Sequence, residues 1–533
     1  MTPMPPMTPD GMGEDTTRSG IAASGSSSVY ELFRSRALAQ PHSVAMLVGE
    51  QSLDYAELLN RVDRLAGVLN AEGVGYGDRI AMFSENRMEY IELHLAAARM
   101  GAIVACQNWR LTAEEIRHCV NLVEPRILVY SPRYAQLVKE LALSQLPNLQ
   151  LGDDYEARLE TTFVVTGASD VHWESGLLIL YTSGTTGPAK AALISQRALV
   201  ARQTVLSLDL RIDREDGFLA WSPMFHIGGS EHSLSTLMMG GTVYITDGFE
   251  PDRMADIIAR YKLGWLLLVP AMTDRLKAAM IASGSVVRGI KAVGSMPDLV
   301  PTTTIAELST LFDAPFFNTF GATETGLPPA SGDLIGIGVT PQRLSKTLSS
   351  MCALRIVGSD GKEVAPGAVG EAHVRGPTVF SGYWGAPEVN KEVFSDGWFN
   401  MGDLFRRNED GSFDFVGRSK YLIKSGGENI YPAEIENLLL SDAAIADAVV
   451  VRKKSDRWGE VPVVFVARVG DQLQEEDVRA LCEKGLASYK MPREIHFLAF
   501  EDIPRNSNGK IVREKLEQWL THPKEAPASG SGG

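Results

Sequence analysis

Between residues 29 and about 150, apolar runs of strand length alternate with helices that carry their apolar residues on one face. Asp54 followed by Glu57 has capping-box spacing, and Leu58, Val62, Leu65, Ala66 and Leu69 keep to one face of the helix that follows. Gly73 closes that helix, and "RIAMFS" reads as a strand. Thr112 with Glu115 repeats the cap ahead of Ile116 and Cys119. Such alternation constrains the chain to an α/β domain, because each helix must cover a sheet face. After about residue 420 the pattern changes. "IADAVVV", "VPVVFVARV" and "REIHFLAF" read as strands and "EEDVRALCEKGLA" as a helix, which makes a small α+β unit. The two parts join near "VGRSKYLIKSGGENIYP", where glycines and charges interrupt the apolar pattern.

The chain has 533 residues, more than one core supports, so two or more domains are expected. Its formal net charge of −15 argues against nucleic acid as the main partner. The four cysteines, Cys106, Cys119, Cys352 and Cys482, lack disulfide-framework or zinc-ligand spacing and fit a reducing compartment. No apolar run reaches the ~18 residues of a membrane span. Residues 1–28 lack the basic start and apolar centre of a secretory signal and read as a tail, as does the "ASGSGG" ending. The expected location is cytoplasmic.

"YTSGTTGPAK" (181–190) follows the apolar run "GLLIL". A glycine-rich turn behind a buried strand exposes backbone N–H groups that can wrap phosphate oxygens. Thr182, Ser183, Thr185 and Thr186 add hydroxyl donors, Gly184 and Gly187 keep the turn open, and Lys190 adds charge. The spacing is not that of a Walker A loop, which needs Gly-x4-Gly-Lys-[Ser/Thr], so a P-loop kinase or ATPase is excluded. Taken alone, such a loop is as often a solvated linker.

Four further stretches follow in order: "PMFHIGG" (223–229), "FGATETG" (320–326), "GWFNMGDL…GRSKYLIKSGGENIYPAEIE" (397–436) and "PRNSNGKIVREKL" (504–516). With the loop they resemble the adenylate-forming superfamily, which contains acyl-CoA synthetases, peptide-synthetase adenylation domains and luciferases. The likeness is greatest to acyl-CoA synthetases of fatty or aryl acids. It runs from about residue 30 to 518 and includes the softer matches "QNWRLTAEEI" and "LASYKMPREI". It implies a large multi-subdomain α/β domain over 29–417, a hinge at 418–420, a small mobile α+β domain over 421–520 and a tail over 521–533.

The chemistry the resemblance implies needs no enzyme nucleophile. A carboxylate does not react with a thiol at neutral pH, whereas an acyl-adenylate carries AMP as a good leaving group. The enzyme aligns carboxylate and α-phosphate and neutralises charge on the pentavalent transition state. Lys510, which by spacing alone is a surface lysine in a polar turn, matches the catalytic lysine. Glu324 matches the Mg²⁺ ligand, where a bland reading would make it a helix-start carboxylate. Thr323 would bind phosphate, and Phe320 and Gly321 would flank the adenine or the adenylate. Asp403 and Arg418 match the ribose pair, Lys420 the hinge position, and Ser425, Gly426, Gly427 and Glu428 the loop lining the pantetheine tunnel. His226 matches the histidine at the mouth of the acyl pocket, although a lone histidine among apolar residues is more often a core residue. The small residues Gly228, Gly229, Ser230, Gly294 and Ser295 suggest room for an acid larger than acetate.

The expected function is therefore an ATP-dependent, AMP-forming acid–CoA ligase. Its cofactors are ATP, Mg²⁺ and coenzyme A, and its partner is a medium- or long-chain fatty acid or a bulky aryl or cyclic acid; a homodimer is allowed. Two rivals are an adenylating enzyme that passes the acyl group to a carrier protein or to oxidation, and a nucleotide-binding protein without catalysis. Retention of Lys190, Glu324, Asp403, Arg418 and Lys510 speaks against the second. Departures from the family pattern are Ala191 after the loop lysine, Gln196, "GSMPD" (294–298), Met401 and Tyr421. Lys510→Ala should abolish adenylate formation yet leave thioester formation from supplied acyl-AMP, a split read by assaying each half-reaction alone.

Overall fold

Both capping boxes form as spaced. Asp54 Oδ1 accepts from the Glu57 amide at 2.8 Å, and the Glu57 carboxylate accepts back from the Asp54 amide at 2.9 Å, opening the helix Tyr55–Ala71. Thr112 and Glu115 do the same for Ala113–Val123. The computed structural model describes residues 27–165, 171–182, 189–268, 272–294, 300–426, 428–506 and 510–522.

Two largely parallel sheets dominate the large part of the chain. One has six strands in the order 148–150, 127–130, 79–83, 103–106, 176–182, 190–195, all parallel except the last. The other has eight, in the order 334–335, 316–317, 290–294, 263–267, 217–220, 243–245, 44–48, 51–54, with antiparallel strands at both edges. Alternate residues of each strand face opposite ways, so each sheet feeds two cores. Ile80, Met82, Val104 and Leu178 of one sheet share a core with Phe218, Val243 and Trp265 of the other, through helices such as Tyr55–Ala71, Met88–Met100 and Ile227–Met239. The outer faces are covered by Ala113–Val123 on the first sheet and by Pro251–Arg260, Thr273–Ser283 and Thr302–Leu311 on the second. Asn86 spans the gap between the sheets. Its Nδ2 donates to the carbonyls of Ala220, Ser222 and Thr246 at 3.2, 3.0 and 3.2 Å, and its Oδ1 accepts from the Met224 amide at 2.9 Å.

A third sheet of five antiparallel-paired strands includes Trp398–Arg407 and Phe413–Arg418. The C-terminal unit builds its own five-stranded sheet from 423–425, 428–430, 445–455, 459–468 and 494–498, with Val450, Val464 and Val466 facing one core and Val449, Val451 and Val463 the other.

The departures from the family pattern are absorbed by packing. Ala191 and Met401 are buried. Gln196, wholly buried, accepts from the Val29 amide at 2.9 Å and donates to the Ala98 carbonyl at 3.0 Å, so both ends of its amide are satisfied.

The space expected at Gly228 and Gly229 is already filled. A Cβ at Gly229 would lie 2.6 Å from the Ser222 and Pro223 carbonyl oxygens, and one at Gly228 would lie 2.9 Å from Leu267 Cδ2. A Cβ at Gly294 would stand 3.1 Å from Phe317 Cβ and O. These glycines permit close approach of their neighbours. Ser295 lies outside the described residues. Gly229→Ala should push Ile227–Met239 off the 222–223 segment, with a cost of about 1–3 kcal/mol in denaturant unfolding and a raised KM for the acid.

Candidate active site

The strand Gly176–Thr182 turns back as Lys190–Ser195, and the last paired residues are Thr182 and Lys190. The phosphate-loop candidates Ser183, Gly184, Thr185, Thr186 and Gly187 connect this pair and lie outside the described residues, as does Gly427. Thr182 Oγ1 is 3.5 Å from the Lys190 carbonyl. The Lys190 ammonium sits 5.2 Å above the Tyr383 ring, and the Tyr383 hydroxyl donates to Glu324 Oε1 at 2.7 Å. Burial, and then the Glu324 carboxylate, holds the Tyr383 phenol far above its usual range, so it remains a donor.

Glu324 follows the short strand Gly321–Ala322, which pairs with Gly326–Pro329 in a tight hairpin. Gly321 is obligatory there, since a Cβ would stand 2.0 Å from the Gly326 carbonyl oxygen. Under the hairpin lies Arg202, 1% exposed along its side chain and ion-paired at 2.6 Å with Glu231, itself 2% exposed. Arg202 Nη2 donates to the Thr323 carbonyl at 3.3 Å and Nε to the Thr378 carbonyl at 2.9 Å. Sequence reasoning missed Arg202, Glu231 and Tyr383, which occupy none of the matched motifs. The Phe320 side chain is buried, with its ring 4.7 Å from Phe405 and 5.3 Å from Phe415, in the aromatic core beside the hairpin.

Asp403 and Arg418 face each other across neighbouring strands. Asp403 is 1% exposed, and neither carboxylate oxygen accepts a hydrogen bond from any described residue. Arg418 Nε lies 2.8 Å from Oδ1, close enough to pair but without an N–H aimed at it. A buried carboxylate left so poorly satisfied is costly. Burial raises its pKa to about 6, opposed by Arg418 and assisted by Glu324. Lys510 joins the same group. It is exposed as a residue, yet its ammonium feels Arg418, Glu324 and Asp403 together, and burial followed by Arg418 holds it below the ordinary lysine range. The structure therefore brings Glu324, Asp403 and Arg418 together with a lysine from the C-terminal unit.

His226 caps the N-terminus of Ile227–Met239 and is half-buried, its ring 4.5 Å from that of Phe225. A cleft between this helix and Gln196–Leu210, lined by Gln203, His232 and Trp265, shares no residue with the charged group. Lys420 Nζ donates to Glu514 Oε1 at 3.0 Å. Ser425 and Glu428 pair in a hairpin whose tip rests on its neighbour: Gly426, at φ +59, donates its amide to the Trp458 carbonyl at 2.8 Å.

Among the described residues no three His, Cys, Asp or Glu side chains gather as a metal site, and no helix is long and apolar enough to cross a membrane. A divalent ion here would have Glu324 as its protein ligand and take its other ligands from phosphate and water, the habit of Mg²⁺ rather than of a caged metal.

Residues 33–384 match the AMP-binding enzyme family, and residues 434–510 match the AMP-binding enzyme C-terminal domain. The chain is 35% identical over 499 residues to an indoleacetate–CoA ligase of Aromatoleum aromaticum, covering 90% of this chain and 96% of that one. It is 32% identical over 491 residues to a feruloyl-CoA synthase of an Amycolatopsis species, covering 91% and 97%. Among solved structures, the o-succinylbenzoate CoA synthetase of Bacillus subtilis, in complex with its acyl-adenylate, superposes with a TM-score of 0.79 at 25% identity, covering 91% and 97%. These relatives are named for aryl acids, so the fatty-acid half of the expectation is unsupported.

Asp403 supplies a stability test. Its folded pKa of about 6 lies above the ~3.9 of an unfolded aspartate, so the folded state binds the proton first and the ionised group weakens folding at neutral pH. Asp403→Asn should stabilise the ligand-free protein at pH 7.5 by on the order of 2 kcal/mol. The gain should be about half as large at pH 5, where the folded carboxyl is protonated and the unfolded one still ionised, and should vanish only below ~3.9, where both are protonated. Denaturant unfolding at the two pH values measures it.

Proposed function

The chain belongs to the AMP-binding enzyme family, and from that premise we propose that it joins a bulky aryl carboxylic acid to coenzyme A, using ATP and passing through an acyl-adenylate. The observation that carries the reading is the meeting of Lys510 with Glu324, Asp403 and Arg418. Two carboxylates and two cations around one point suit a polyanion whose charge moves during reaction.

In this reading Asp403 accepts hydrogen bonds from the two ribose hydroxyls, which supply the donors its buried oxygens lack. Arg418 steadies that carboxylate. Glu324, oriented by the Tyr383 hydroxyl, would hold Mg²⁺, which when bound neutralises phosphate charge. Thr182, Lys190 and Thr323 line the phosphate side, and the backbone and hydroxyl donors of Ser183, Gly184, Thr185, Thr186 and Gly187 are assigned to the same phosphates by their sequence motif. Lys510, kept from full solvation, lies against the carboxylate and α-phosphate as the acyl–oxygen–phosphorus bond forms and pyrophosphate leaves. His226 guards the entry of the acid. Ser425, Gly426, Gly427 and Glu428 line the path of the CoA arm once the small domain has turned about 418–420. Arg202 is committed to Glu231 and two backbone carbonyls, so its part is to hold the site's elements together.

A panel of arylacetic, cinnamic-type and long-chain fatty acids, assayed for pyrophosphate and for thioester with ATP, Mg²⁺ and CoA, tests the proposal. Aryl acids should exceed fatty acids in kcat/KM by at least about tenfold, the lower end of what one misplaced methylene is worth. A fatty-acid preference would overturn the substrate class. Pyrophosphate release without thioester would overturn CoA as the acceptor.

A further inference from the structure

The link between the two parts of the chain is gripped from both sides by carboxylates. Ser419 Oγ donates to Glu371 Oε1 at 2.6 Å, and Glu371, on the strand Val369–Arg375, also holds Asn400 Nδ2 through its other oxygen at 2.8 Å. One residue later the allegiance changes. Lys420 Nζ donates to Glu514 Oε1 at 3.0 Å, and the Tyr421 hydroxyl lies 3.4 Å from the same oxygen. The Tyr421 ring has the Lys420 ammonium at 4.0 Å and the Arg513 guanidinium at 5.1 Å. Arg513 is anchored in the small unit by Glu436 and the Val450 carbonyl. Glu514 stands in the first turn of the helix Arg513–Thr521, four residues after Lys510.

Three cations, Arg418, Lys420 and Arg513, therefore crowd this short link. Burial, which pushes the Lys420 ammonium towards its neutral form, is opposed first by Glu514, while Arg418 and Arg513 add to it. Without Glu514 the Lys420 ammonium loses its carboxylate partner, while Arg418 and Arg513 stay nearby, each paired with its own carboxylate, Asp403 and Glu436.

We propose that Glu514 is a positioning residue that latches the small domain across residues 419–421 and so holds Lys510 in the charged group, biasing the enzyme towards adenylation over thioester formation. The inference rests on the two-step ligase reading above. It adds a residue that touches no reacting atom, since Glu514 acts through Lys420 and Tyr421. The Lys420–Glu514 pair is partly exposed, at 29% and 31% of the side-chain surfaces, so its hold is modest and can be broken within a catalytic cycle.

The test measures the two half-reactions separately in the full-length protein: acyl-AMP formation by pyrophosphate exchange, and thioester formation from supplied acyl-AMP and CoA. Glu514→Gln keeps the shape of the side chain and removes its charge. It should lower the ratio of adenylation to thioester rates about fivefold, the factor a partly exposed ion pair supplies. Lys420→Met should lower the ratio alike, and the double variant should be no worse than either single one, because both remove the same contact. Raising salt from ~0.05 to ~0.5 M should lower the ratio in the wild type and leave it unchanged in Glu514→Gln. Equal slowing of both half-reactions, an unchanged ratio, or additive effects in the double variant would overturn the latch. A wild type that exchanges no pyrophosphate with any acid would instead overturn the ligase reading.

Discussion

A guanidinium with almost no exposure holds the active-site region together. Arg202 reaches three separate stretches: Glu231 in the helix behind His226, the Thr323 carbonyl beside Glu324, and the Thr378 carbonyl, next but one to the Phe380 whose amide donates to the Glu324 carbonyl at 2.8 Å. Its stem also fills the space where a side chain at Gly326 would go, 2.6 Å from Arg202 Cδ. A charge this deep is tolerated because it is paired with Glu231 and also donates to two backbone carbonyls. Its fixed fork then sets the helix Ile227–Met239 and the hairpin that carries Glu324 in one frame. Glu324 is held again from above by Tyr383, whose ring also faces Lys190, so three motifs far apart in sequence are registered through two side chains that belong to none of them.

The same frame explains why Asp403 can be kept ill at ease. A carboxylate at 1% exposure, facing Arg418 but accepting no hydrogen bond from any described residue, is costly to the fold. Its position across from Arg418 on paired strands is rigid, because Gly402 and Gly417, at φ +68 and +150, let both strands bend where the two residues meet. Rigid unsatisfied acceptors are preorganised acceptors. They gain most when a ligand supplies the donors, and they lose little entropy in doing so.

Much of the architecture was legible in the sequence because it is written in local rules. Capping boxes at Asp54 and Thr112, strand-length apolar runs and the change of pattern near residue 420 each depend on residues within a few positions of one another. Four of the charged residues that motif resemblance singled out, Glu324, Asp403, Arg418 and Lys510, lie within electrostatic range of one another. What could not be read were contacts whose partners are distant in sequence. Arg202 and Glu231 are 29 residues apart, Tyr383 and Glu324 are 59, and Asn86 finds its carbonyls 134 to 160 residues away. The Phe320 ring likewise packs against Phe405 and Phe415, far along the chain. At Gly228, Gly229 and Gly294 smallness serves close contact with a neighbour, again with partners that local rules do not reveal.

Residue departures from the family pattern also fall into place by location. Ala191 and Met401 point into cores, and Gln196 satisfies two backbone groups deep inside the large domain, so each changes packing rather than charge. Tyr421 is different, because it lies at the link itself and adds a ring between two cations and a hydroxyl near Glu514. A residue that recruits cations to its ring raises the local positive charge, and that charge must be met by an anion if the link is to hold one arrangement. Glu371 meets it on the large-domain side through Ser419, and Glu514 meets it on the small-domain side through Lys420. The link between the domains is thus a point where opposed charges nearly balance, and a near balance is the condition under which modest differences in contact can move a domain.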